Sequence, residues 1–303
     1  MPLCSFAGQK NGMAMQGTPH GVMSNPHTGP VMGCCWSPDG GKLFTGSADK
    51  TGKVWDLASS QVVQFAAHDQ PIKAVHMVAQ HNMVVTASWD KTLKYWPINT
   101  LGQGTPALTV NLSERVYAID VKVVARVLVL CVCEETDCEA NGWPTVQDHA
   151  MVVACADKRI YVFDLNKPDT PMKTHESPLR HQIRTISLFS DKKGYAIGSI
   201  EGRVQIYHID QNEQGKNFAF KCHRDPSTSD IYAVNAISFH KQFGTFCTAG
   251  SDGTFNFWDK DAKQRLKNFN KLPVWSLLTN RPPPPLPPSL GWVNVGTRAG
   301  PGC

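Results

Sequence analysis

The sequence predicts an all-β chain of small antiparallel sheets set side by side around an axis. Three observations carry this expectation. A small residue, an acid and an aromatic recur in five copies, with the acid always six residues before the aromatic. The intervening residues alternate in polarity and are rich in β-branched and aromatic types, as strands are. The first two acids stand 41 residues apart, a period long enough for one four-stranded unit.

The copies run Ser47, Asp49, Trp55; Ser88, Asp90, Trp96; Cys155, Asp157, Phe163; Ser199, Glu201, Tyr207; and, tightened by one residue, Ser251, Asp252, Trp258. Between acid and aromatic they read KTGKVW, KTLKYW, KRIYVF, GRVQIY and GTFNFW. A short apolar run such as KLFTGS or MVVTAS precedes each acid, so the pair reads as a hairpin with the acid in its turn. His27 and His68 each lie 22 residues before their acids, and His223 precedes the fifth with a longer connection. Each histidine is expected to bond the turn acid and the hydroxyl of Ser47 or Ser88, which in turn reaches the indole of Trp55 or Trp96. A His–Asp–Ser set suggests a hydrolase, but its periodic recurrence marks a scaffold, because catalysis needs one site. The pattern resembles the WD40 repeat, so the expected fold is a WD40 β-propeller, with five blades readable and a sixth begun at RLKNFNKLPVWSLL.

The 303 residues are 41% hydrophobic and 18% charged, with net charge +5, enough for a sizeable core and compatible with acidic partners. Ten cysteines follow no framework, as expected of reduced thiols, and Cys131, Cys133 and Cys138 match no common zinc spacing. The start carries no secretory pattern and the longest apolar run is broken by Arg126, so a soluble intracellular protein without membrane insertion is expected. No Walker loop or nucleophile elbow is present, and no enzyme activity, metal or cofactor is expected. The expected organisation is an unstructured segment 1–26, a propeller over 27–278 and a Pro/Gly-rich tail over 279–303. Pro282 to Pro288 offers an alternative reading as a polyproline ligand. Asp90 and Asp157 stand 67 residues apart, 26 more than one period, which places an inserted loop or an in-frame retained intron at about 123–150.

Stretches such as SIEGR, FKCHR, DIYAVN and GSDGTFNFWDKDAKQRLK resemble the messenger-RNA export factor family of the nuclear pore, the Rae/Gle-type propellers, from roughly Asn25 to Ser276. SIEGR, FKCHR and DIYAVN also resemble the Bub-type mitotic checkpoint propellers. The resemblance implies seven blades, of which this chain lacks a first and most of a last. It implies a non-enzymatic adaptor of the nucleus, nuclear pore and cytoplasm that binds an acidic GLEBS segment of a nucleoporin. Arg203 of SIEGR carries over as the partner of that segment's glutamates, oriented by Glu201. Copy by copy, the acid-bearing turns are expected to contribute Lys50, Lys91, Lys158 and Arg203 to one positive face, with Trp89 as an anchor. The resemblance further implies weak single-stranded RNA binding at an edge built from Phe220, Trp258, Lys260, Lys263, Arg265 and Lys267. Alternative readings are an adaptor for mitotic checkpoint or spindle proteins, or a ubiquitin-ligase substrate receptor with ubiquitin binding.

Overall fold

The computed structural model describes residues 27–123, 149–225, 227–240 and 243–269. They form five four-stranded antiparallel meanders in chain order. The first sheet holds β1 (Val31–Trp36), β2 (Lys42–Ser47), β3 (Thr51–Asp56) and β4 (Val62–Ala67). The second holds β5 (Ile72–Val78), β6 (Met83–Ser88), β7 (Thr92–Pro97) and β8 (Leu108–Asn111). The third holds β9 (Val116–Val123), β10 (His149–Cys155), β11 (Arg159–Asp164) and β12 (Pro171–Glu176). The fourth holds β13 (Ile183–Leu188), β14 (Gly194–Ser199), β15 (Arg203–His208) and β16 (Phe218–Lys221). The fifth holds β17 (Val234–Phe239), β18 (Thr245–Gly250), β19 (Phe255–Asp259) and β20 (Gln264–Phe269).

The core lies between sheets, which is why the strands bury both faces. In β6, Val84 joins Phe44, Phe65 and Ile72 toward the first sheet, while its neighbour Val85 joins Val116, Met151 and Phe163 toward the third. Val152, Ile160 and Val162 meet Ile183, Ile186 and Tyr195 across the next boundary, and Val204 and Ile206 meet Val234 and Phe246 across the last. Each large side chain so buried contributes about 1.5–3 kcal/mol. The first strands pack in sequence, β1 on β5, β5 on β9, β9 on β13 and β13 on β17. Among the described residues β1 and β17 share no comparable packed face, so the five blades form an arc.

The small residue before each serine follows from this packing. A Cβ on Gly46 would stand 2.5 Å from Val75 and 2.6 Å from Ile72 of the next blade.

The excess length between the second and third acids falls between β9 and β10, which pair antiparallel up to Val123 and His149. The strands therefore run into both ends of the expected insertion, and residues 124–148 lie outside the described residues. So do the segments 1–26 and 270–303, with Pro282 to Pro288 and Cys131, Cys133 and Cys138. The RLKNF expected to begin a sixth unit is instead β20, the last strand of the fifth sheet. Among the described residues no helix is long and apolar enough to cross a membrane.

Candidate peptide-binding face

Each acid sits in the turn between the second and third strands of its blade, and its partner comes from the loop entering that blade. His27 Nδ1 lies 2.9 Å from Asp49, His68 Nδ1 2.7 Å from Asp90 and His223 Nδ1 3.0 Å from Asp252. In the third blade Ser113 takes the histidine's place and donates to Asp157 at 2.5 Å. In the fourth, His181 Nε2 approaches Glu201 at 3.4 Å. These bonds bring entry loops and acid-bearing turns to one face of the arc, here called the entry face.

The hydroxyl that links histidine to indole belongs to threonine, which corrects the expected serine. Thr86 Oγ1 receives the Trp96 indole N–H at 2.8 Å and lies 2.7 Å from His68 Nε2. Thr248 does the same for Trp258 and His223, at 3.0 and 2.9 Å. Thr45 meets His27 Nε2 at 2.9 Å, but the Trp55 indole nitrogen is buried without a partner. The reason is register. Ser47 and Ser88 lie one pleat nearer the turn than Thr45 and Thr86, out of reach of the indole, and cap the turn instead. Ser47 accepts from the Asp49 N–H and donates to the Pro30 carbonyl, and Ser88 accepts from the Asp90 N–H and donates to the Pro71 carbonyl.

Burial alone would raise the Asp49 carboxyl, but hydrogen bonds from Thr51 and His27 outweigh it and hold it at about 2. Asp90 is likewise held well below the usual carboxylate range, because bonds from His68 and Thr92 outweigh its burial. Burial lowers His27, against the pull of Asp49.

Lys50, Lys91 and Lys158 follow their acids with φ of 70°, 68° and 66°. In the fourth blade that left-handed position is Gly202, with φ of 63°. A Cβ there would stand 2.5 Å from the Cys222 carbonyl oxygen, so lysine is excluded by close approach. Arg203 is therefore not a turn residue, as expected from sequence, but the first residue of β15. It holds the place at which Thr51, Thr92 and Thr254 donate to their acids at 2.7, 2.6 and 2.8 Å. Its Nε lies 3.2 Å from Glu201 Oε1, an ion pair in place of that hydroxyl bond, and its side chain remains 38% exposed. Glu201 thus keeps the scaffold acid's place because its longer side chain spans to a guanidinium. For the lysines, left-handed backbone costs a residue with a Cβ about 1–2 kcal/mol. Lys158→Gly is therefore expected to raise the urea midpoint modestly, by up to about 1 kcal/mol in stability.

Of the other expected face residues, Lys50 is exposed, Lys158 half-buried, and Lys91 is spent on Glu114 at 2.6 Å. Trp89 lies in the β6–β7 turn but is only half-exposed, with its indole nitrogen buried and unpartnered.

Sequence reasoning missed a second set on this face. Each first strand carries a one-residue bulge near its start, at Met32, Lys73, Tyr117, Arg184 and Asn235. The first strands pack one on the next, so the five bulges follow one another along the arc beside the entry loops. Lys73 is depressed by burial and then by the charge of Arg184, which places the two cations near one another. Arg115 lies 5.9 Å over the Tyr117 ring. The signal was present in the sequence: each bulge residue directly follows the β-branched residue that opens its strand, in PVM, PIK, RVY, QIR and AVN.

The six residues of the expected RNA edge do not form one surface. Phe220 and Trp258 pack on each other, with centroids 4.5 Å apart, and join the core between the fourth and fifth blades. The Lys260 side chain is 10% exposed, bonded to Asp261 and set over the Phe189 ring. Lys263 covers Phe218 and Lys267 covers Phe269. Arg265 pairs with Trp258 and Lys267 with Phe257, whose side chains leave opposite faces of β19.

A half-buried histidine on the outer strand of the third blade sets a pH dependence. His175 Nε2 accepts from the Tyr195 hydroxyl at 2.5 Å and its ring stacks on Tyr207. Burial, and then Lys173, pull it down to about 4. The native state keeps this ring neutral, whereas the unfolded chain takes up a proton below about 6.5. Stability is therefore present above 6.5 and is lost as pH falls toward 4. Urea midpoints are expected to decline over that window, and less steeply in His175→Gln.

Three segments match the family model described as WD domain, G-beta repeat, at residues 17–56, 59–97 and 216–259. Among the described residues these matches cover β1–β3, β4–β7 and β16–β19. The chain is a WD40-repeat protein. Within that family it is similar to three named proteins, two of them named for RNA export. It is 45% identical over 262 residues to "mRNA export factor GLE2" of Chaetomium thermophilum, covering 85% of this chain and 66% of that protein. It is 45% identical over 253 residues to "Protein Rae1" of Drosophila melanogaster, covering 80% and 65%. It is 44% identical over 248 residues to the "Poly(A)+ RNA export protein" of Schizosaccharomyces pombe, covering 80% and 62%. The chain thus spans just under two thirds of the length of these curated relatives. The resemblance read from SIEGR, FKCHR and DIYAVN agrees with these relatives.

Proposed function

We propose that this WD40 chain is a non-enzymatic adaptor in mRNA export, whose entry face holds an acidic GLEBS-type segment of a nucleoporin. The observation that carries the reading is Arg203: a partly exposed guanidinium on the entry face, held by an acid whose other oxygen meets His181. A guanidinium so fixed presents a fork that matches a carboxylate, which lysine does not. Lys73 and Arg184 at the first-strand bulges, Arg115 beside Tyr117, and Lys50 and Lys158 in the turns add positive potential on the same side. Two of the relatives are named for RNA export, which supports the export role and, with it, action at the nucleus and nuclear pore. RNA binding would rest on the exposed cations Lys263, Arg265 and Lys267 contacting phosphate, since Phe220 and Trp258 are engaged with each other.

The test is capture by immobilised synthetic peptides. A GLEBS nucleoporin peptide is expected to retain the chain, with retention falling as salt rises. Retention only by a checkpoint-kinase peptide, or only by a ubiquitin-ligase scaffold, would reassign the adaptor.

A further inference from the structure

A cleft of about 200 Å³ opens between the loop that follows β16 and the outer strands of the fifth blade. Arg224, Tyr232, Asn256, Arg265 and Asn268 are among its walls. Asn256 is only 3% exposed, and its Oδ1 has no hydrogen-bond partner among the described residues. Arg224 Nε is likewise buried and unpartnered, although Nη2 of the same guanidinium donates to the Glu201 carbonyl at 3.0 Å. Two residues that line the same cleft therefore carry one unpaired buried acceptor and one unpaired buried donor, and leaving either unpaired costs stability.

The register sets Asn256 apart from its counterparts in the preceding blades. Asn256 stands two residues before the blade's aromatic, a place held by Lys94, Tyr161 and Gln205 in the three preceding blades. Those longer side chains spend their polar ends within the fold: Lys94 on the Ala67 carbonyl, Tyr161 on Ser113 and Gln205 on the Ile206 carbonyl. Asparagine stops short of any such partner.

The cleft does not select a simple anion. Asp225 and Asp252 share its walls with the two arginines, and a carboxylate that satisfied Arg224 Nε would oppose Asn256 Oδ1. A cation would meet the reverse conflict. A carboxamide carries a carbonyl and an N–H side by side and satisfies both. We propose that this cleft takes the side-chain carboxamide of a glutamine or asparagine on a peptide partner, its carbonyl accepting from Arg224 and its N–H donating to Asn256. The proposal rests on the reading that this face holds a peptide, and it adds a neutral recognition point beside the charged one.

The test uses two small probes with the same backbone, N-acetylglutamine methylamide and N-acetylglutamate methylamide, titrated into the folded chain. The readout is the NMR signals of the Arg224 Nε–H and the Asn256 side-chain amide. The glutamine probe is expected to shift both signals saturably and to bind roughly ten-fold or more tightly than the glutamate probe. Asn256→Leu is expected to abolish the response, while Arg203→Ala keeps it and loses the acidic peptide. No saturable shift with the glutamine probe, or equal or tighter binding of the glutamate probe, overturns the proposal. That comparison needs only the wild-type chain, so a variant that fails to fold does not affect it. A retained glutamine response with acidic-peptide binding unchanged in Arg203→Ala would leave the cleft standing and remove the role of Arg203.

Discussion

Arg203→Ala is expected to weaken binding of a synthetic GLEBS peptide by about 2–5 kcal/mol, the range for truncating one member of a charged pair at an interface. Two features set this size. The guanidinium stands 3.2 Å from Glu201 as an ion pair before binding, while its Nε makes no hydrogen bond among the described residues, so the ligand gains a partly oriented cation. Removing it also leaves Glu201 facing an acidic ligand with His181 alone beside it, which adds repulsion to the lost attraction. Arg203→Lys keeps the charge but not the fork and is expected to recover only part of the loss. Lys50→Ala, an exposed cation on the same face, is expected to cost less than about 1 kcal/mol, in line with exposed pairs. Isothermal titration calorimetry on variants with unchanged unfolding midpoints separates these outcomes, and an unchanged affinity in Arg203→Ala would refute the assignment.

Thr86→Val is expected to cost about 2–6 kcal/mol of stability, since it strips the hydroxyl from between two buried groups at about 1–3 kcal/mol each. Thr86 is fully buried and joins Trp96 to His68, which in turn is bonded to Asp90. Valine matches the shape, so the loss reports hydrogen bonding and not a cavity. The first blade supplies an internal control. Thr45 meets His27 but not the indole of Trp55, so Thr45→Val removes one such bond and is expected to cost about half as much. Urea unfolding of the two variants measures the difference, and equal losses would contradict the network drawn here.

The blades were legible because the fold repeats one local solution. An acid six residues before an aromatic fixes a tight turn and a strand length, and five copies of it specify five sheets. The hydroxyl in the network was misassigned because Ser47 and Thr45 share a sheet face, and only strand register decides which one reaches the indole. Arg203 was placed in the turn because spacing alone does not reveal that the left-handed position must be glycine. That requirement comes from the Cys222 carbonyl, which a residue 20 positions downstream brings to within 2.5 Å of a Cβ at Gly202. The bulge residues Lys73 and Arg184 went unread because each looks like an ordinary strand cation until the first strands are packed one on the next. The RNA edge gathered residues that are neighbours in sequence, but a bulge that skips Leu266 breaks the alternation of β20 and sets Arg265 and Lys267 against residues on opposite faces of β19.

On the proposed function, a positively charged entry face grips an acidic segment through Arg203. A calorimetric double-mutant cycle tests it most directly, pairing Arg203→Ala with alanine at each glutamate of the GLEBS peptide in turn. One glutamate is expected to show a coupling energy of about 1.5 kcal/mol or more, as close interfacial charge pairs do. Coupling indistinguishable from zero at every glutamate would contradict the claim.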